Sequence, residues 1–62
     1  MTYANMSDNG AILGSFHATK EEAIHVAKVS ARQTNEQVRV VCYGPAGDVK
    51  SITRVSKSGR VE

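Results

Sequence analysis

Apolar and small residues recur at helical spacing between Thr19 and Asn35. At about 100° per residue, Ala23, Ile24, Val26, Ala27, Ser30, Ala31 and Thr34 fall on one face, and Glu21, Glu22, His25, Lys28, Arg32 and Gln33 fall opposite. No other stretch sustains that period. Thr19 is placed to accept from the Glu22 amide while the Glu22 carboxylate reaches back to the Thr19 amide, so the spacing predicts a capping box at the helix start. The polar run Gln33-Thr34-Asn35-Glu36 ends the helix.

On either side the period falls to two. Thr2 to Met6 and Ala11 to His17 read as strands joined through Asn9-Gly10, a pair suited to a two-residue type I′ turn. That register sets Met6 opposite Leu13, Asn5 opposite Gly14 and Tyr3 opposite Phe16. It assigns Tyr3, Ile12 and Phe16 to the core, with Gly14 leaving room for a ring across the backbone. After the helix, Gln37 to Tyr43 is β-branched and partly alternating. Gly44-Pro45-Ala46-Gly47-Asp48 punctuates it, and Val49 to Val55 alternates again. The expected fold is α+β: a small ββαββ domain over residues 1–55, an antiparallel sheet with one helix packed across one face. Ser56 to Glu62, with a single Val among Ser, Lys, Gly and Arg, reads as a flexible basic tail.

Length changes this picture only by limiting the core, because 62 residues bury roughly 60% of the surface their unfolded chain exposes. Cys42 is the only cysteine, so no disulfide closes within the chain. The expected setting is a reducing one, and cytoplasmic. The chain opens with no charged-then-apolar leader and holds no apolar run long enough for a bilayer, so neither export nor membrane contact is expected. The net charge is +2. The excess is C-terminal, where Lys50, Arg54, Lys57 and Arg60 face Glu62 alone.

Candidate chemistry is sparse. His17, His25 and Cys42 are the soft ligands available, but the histidines lack the i, i+4 spacing of a helical zinc pair. They read as two surface histidines and a half-buried thiol acting as a small apolar residue. Cys42 has no base near it in sequence to make it a nucleophile. Glu21 and Glu22 are adjacent and point about 100° apart, so they serve the helix dipole and cap rather than an acid/base pair. The loop Gly44 to Asp48 lacks the lysine and following helix of a phosphate-binding loop. The expectation is no metal, no cofactor, no catalytic residue and no enzyme.

Alternation points instead to a surface. If Val38, Val40 and Cys42 face the helix, Arg39, Val41 and Tyr43 face away. If Val49, Ser51 and Thr53 point in, Lys50, Ile52 and Arg54 point out. The open side of the sheet would then carry Val41, Tyr43 and Ile52 ringed by Arg39, Lys50 and Arg54, an apolar centre with a basic rim. The expected function is a small protein-binding module whose partner is a second copy, as a homodimer, or a foreign protein. The alternative is weak nucleic-acid binding through the basic hairpin and tail, with Tyr43 stacking on a base. A second candidate surface is the outer helix stripe of Glu22, His25, Val29 and Arg32.

Two motifs, F-x-A-T-x-E-E-A-I-x-x-A-K from Phe16 and V-R-V-V-x-Y-G-P-A-G-D-V from Val38, resemble a family of short, uncharacterised bacterial and phage domains. In that family a strand leads to a T-x-x-E-A helix and a C-terminal hairpin. The matching residues are Phe16, Thr19, Glu22, Ala23, Ile24, Ala27, Val40, Tyr43, Gly44 and Gly47. A tryptophan of the first strands is missing here, and Gly47-Asp48 stands where the family turn has Asp-Gly. The resemblance implies the fold and assigns no activity. In size and topology the chain also looks like small phage proteins that bind and inhibit host machinery.

Overall fold

The computed structural model describes all 62 residues, in the order β1 (Thr2–Ser7), α1 (Lys20–Thr34), β2 (Val38–Tyr43) and β3 (Val49–Val55). The strands form one antiparallel sheet, β1-β2-β3, with α1 packed on one face. The α+β class is as expected, but the order is β-α-β-β rather than ββαββ. The expected second strand, Ala11 to His17, follows the free edge of β1 and pairs with it at only two points, Met6 with Ile12 and Tyr3 with His17.

Three steps along β1 therefore span five along the returning segment. Gly14, at a φ of 74°, lies in the surplus and interrupts the ladder as a bulge does. The expected register misses by one residue at each contact. Because strand side chains alternate, a one-residue slip moves a set of side chains to the other face. Ile12 and Phe16 accordingly leave the core and are 47% and 57% exposed. Leu13 is the residue of this segment that packs toward the helix.

The Asn9-Gly10 turn also differs from its expected form. Gly10 N–H donates to the Ser7 carbonyl at 3.0 Å and Ser7 N–H to the Ala11 carbonyl at 2.9 Å. Of the loop residues only Gly10 has a positive φ. The connection is thus the three-residue kind, a turn followed by a left-handed glycine. Asn9 keeps a negative φ, and its Oδ1 accepts from the Ala11 amide at 3.2 Å and from the Ser7 hydroxyl.

The same bonding recurs between β2 and β3, where Gly47 N–H donates to Gly44 and Gly44 N–H to Asp48, and again after β3, where Gly59 N–H donates to Ser56 and Ser56 N–H to Arg60. The third turn corrects the expected flexible tail. It brings Val61 beside Val55 and lets the Glu62 amide donate to the Arg54 carbonyl at 2.8 Å. The radius of gyration, 10.5 Å, matches the about 10.6 Å of a fully compact chain of this length.

Thr19 caps α1 as expected, its hydroxyl accepting from the Glu22 amide at 3.2 Å. The reciprocal half of the capping box is replaced: Glu22 Oε1 lies 3.0 Å from His17 Nδ1. Asn35, left-handed at a φ of 54°, ends the helix with its amide donating to the Ala31 carbonyl. Ala23, Ala27 and Ala31, four residues apart, are wholly buried against Val38, Val40 and Val55, with Tyr3, Leu13 and Ile24 around them. Small side chains at that spacing let the helix axis come close to the sheet. On the same side β1 contributes Asn5 and Ser7, both buried. Asn5 Nδ2 donates to the Ala23 carbonyl at 3.1 Å and ties β1 to the helix. The largest wholly buried side chains are Val38, Val55 and Asn5, so the core is thin.

Candidate functional site

Cross-strand pairing sets out the sheet face that α1 leaves open. On β2 it carries Arg39, Val41 and Tyr43, whose partners are Met6, Ala4 and Thr2 on β1, and Arg54, Ile52 and Val49 on β3. Five of the six expected partner-binding residues, Arg39, Val41, Tyr43, Ile52 and Arg54, therefore share one surface. Val41 is only 4% exposed, because it sits mid-strand on the central β2 with Ile52 beside it and longer side chains before and after. It is a floor rather than a contact. The register shifts between Cys42 and Tyr43, where Cys42 pairs with Ser51 and Tyr43 with Val49. Lys50 is the extra residue of this bulge. The shift turns Val49, expected inward, to the open side, where it is 55% exposed.

Ile12 and Phe16, displaced from the core, extend this face past β1: Ile12 pairs with Met6, and Phe16 and Tyr43 line a shallow cleft across Thr2. Sequence reasoning missed Ile12, Phe16 and Val49 as surface residues. For Ile12 and Phe16 the signal available was Gly14, since a glycine within a strand pattern marks a bulge as readily as it makes room for a ring; Val49 carried none. The cleft, about 340 Å³, is completed by Gly44, Pro45 and Gly47.

The positive charges on and beside the face differ in their engagement. Lys50 Nζ is 2.9 Å from Asp48 Oδ2. Its stem lies over Gly44, where an added Cβ would meet Lys50 Cε at 2.7 Å. Arg39 and Arg54 stand directly opposite each other, an arrangement that costs stability between like charges. Arg39 Nη2 donates to the Ser7 carbonyl at 3.1 Å, while its Nε is buried with no partner. Neither arginine has a carboxylate in salt-bridge reach.

The second candidate surface is less coherent. Glu22 is engaged with His17, His25 is exposed and Val29 is 41% exposed. The Arg32 guanidinium lies on Gly59, where an added Cβ would meet Nε at 2.5 Å. His17, expected at the surface, is buried, and its Nε2 has no partner. His17, His25 and Cys42 do not gather, and no three His, Cys, Asp or Glu side chains form a group able to hold a metal. Cys42 is buried rather than half-buried, with Tyr3 as its cross-strand partner on β1. The Tyr3 phenol is pushed above its ordinary 10.0 by hydrogen bonding with Cys42, then by desolvation and by the charge of a Cys42 thiolate. No helix is long and apolar enough to cross a membrane. The chain matches no protein-family model, no curated protein sequence and no solved structure.

Proposed function

We propose that this chain is a non-enzymatic protein-binding module that works through the open face of its sheet. The observation that carries the reading is the distribution of apolar side chains. Phe16, Ile52, Val49 and Ile12 are each about half exposed and lie on the side that α1 leaves uncovered, while the helix side is filled by alanines, valines, Asn5 and Ser7. Large apolar side chains grouped in water, beside arginines with no carboxylate in salt-bridge reach, are the composition of a contact surface. On the resemblance noted from the sequence, we extend the proposal to a host protein as the partner.

A nucleic-acid reading draws on Phe16 and Tyr43, which supply the two neighbouring rings a base-stacking platform needs. It is the weaker one, because two arginines without carboxylate partners fall well short of the roughly 6–10 phosphate contacts of a strongly salt-dependent binder.

The test compares capture of cytosolic proteins by the parent chain, by Ile52→Asp and by His25→Ala. A partner held by the parent and His25→Ala but lost with Ile52→Asp supports the reading. Equal capture by all three sinks it. Retention of single-stranded oligonucleotides that falls steeply with salt would support the nucleic-acid alternative.

A further inference from the structure

The open face has two parts, an aromatic cleft at one end of β2 and an arginine pair at the other, and together they specify a ligand. The cleft is lined by Phe16, Tyr43 and Pro45, with Thr2, Gly44 and Gly47 completing it. Two of the six lining residues are glycines, so part of the wall is bare backbone and the cleft stays shallow. At about 340 Å³ it lies near the bottom of the roughly 300–1,000 Å³ range of ligand pockets. A flat ring laid against Phe16 and Tyr43 suits such a shape, and a long flexible chain does not.

The sheet face offers a ligand backbone no ladder to pair with, because the strand amides and carbonyls point along the sheet. A segment crossing it must therefore have its own backbone satisfied, internally as in a helix or by water. Polyproline II takes the second course, having no internal hydrogen bonds, and it has little conformational freedom left to lose on binding. Aromatic-lined grooves are its usual receptors.

Charge narrows the class further. Arg39 and Arg54 face each other with no carboxylate in reach, and a bidentate acidic group between them would relieve that juxtaposition. The acids that flank the pair, Asp8 after Ser7 and Glu62, whose amide donates to the Arg54 carbonyl, leave both guanidiniums without a carboxylate in reach, and Asp48 at the other end of the face is held by Lys50. Tyr43 and Arg39 are four residues apart on β2, about 13 Å at the rise of a strand. At about 3.1 Å per residue of polyproline II, that distance is spanned in about four residues.

We infer that the ligand is an acidic, proline-containing segment of a partner protein, with a prolyl ring in the Phe16–Tyr43 cleft and a carboxylate about four residues away at Arg39 and Arg54. The inference rests on the protein-binding reading and adds the chemistry of the partner.

The test uses fluorescein-labelled peptides in which a diproline and a diglutamate are separated by a lengthening run of alanine and glycine, with binding to the full chain read by anisotropy. Affinity should peak at a separation of about four residues, and Arg54→Glu or Phe16→Ala should each weaken the best peptide by about tenfold or more. Arg54 is chosen over Arg39 because the Arg39 bond to the Ser7 carbonyl also serves the fold. Circular dichroism confirms that both variants fold. A peptide series with no preferred separation, a best peptide indifferent to both variants, or tighter binding of a single-stranded oligonucleotide would each overturn the inference. If Ile52→Asp loses a captured partner while no peptide in the series binds, the face still binds protein and only the ligand class is wrong.

Discussion

Single residues at the ends of α1 carry a measurable share of stability, since a thin core leaves little surplus. Thr19→Ala removes the acceptor of the Glu22 amide and should cost about 1 kcal/mol. An unmoved urea midpoint would mean that the cap contributes nothing. At the other end Asn35 holds a left-handed φ of 54°, which costs an alanine about 1–2 kcal/mol. Asn35→Ala should therefore lower the midpoint and Asn35→Gly should not. Tyr3 adds a pH dependence whose sign follows from its raised pKa. The folded chain holds the phenolic proton more tightly than the unfolded one, so this contribution is complete below pH 10.0 and is lost as pH rises through the folded value. Tyr3→Phe should flatten the fall in stability on the alkaline side, and Cys42→Ala should bring the Tyr3 absorbance titration back toward 10.0.

At the scale of elements, the packing of α1 depends on the smallness of Ala23, Ala27 and Ala31, each wholly buried. Ala27→Leu would push the helix off Val38 and Val40 and should cost about 1–3 kcal/mol through overpacking. A midpoint raised by that change would show a void that the packing does not contain. The closing turn after β3 couples two elements, because Gly59 has a φ of 87° and meets the Arg32 guanidinium. Gly59→Ala should release Val61 and Glu62 from β3. Faster amide exchange at Glu62, with α1 otherwise protected, is the expected result.

The whole molecule has two sheet faces with unequal demands. The helix side is where folding is satisfied, yet it includes Asn5, with Oδ1 buried and unpartnered, and His17, with Nε2 in the same condition. The open side keeps its large apolar residues in water. Changes on the open side should therefore dissociate binding from stability. Arg54→Glu should leave the unfolding free energy within about 0.5 kcal/mol of the parent, as exposed positions generally do, and raise it slightly by relieving the Arg39 juxtaposition, while Ile52→Asp should cost about 1 kcal/mol through lost strand propensity beside Val41. A large loss of stability in Ile52→Asp would show that the face is part of the core.

Local rules were enough for α1, its Thr19 cap, the hairpin of β2 with β3 and the outward setting of Arg39, Tyr43, Ile52 and Arg54. Each of these depends on a period, a cap or a turn residue carried within a short stretch of chain. Where tertiary contacts intervened, the local reading failed. Glu22 can bond either its own cap or His17, and only the fold brings His17 to it. Ser56 to Glu62 has a tail's composition, yet Gly59 can seat on Arg32 and Val61 beside Val55 once α1 and β3 are in place. Ile12, Phe16 and Val49 turned outward because a bulge changes which face a strand residue occupies, and a bulge is a property of the pairing of two strands. The aromatic half of the binding face therefore appears only when β1, its returning segment and β2 are assembled, while its basic half is legible in the alternation of β2 and β3.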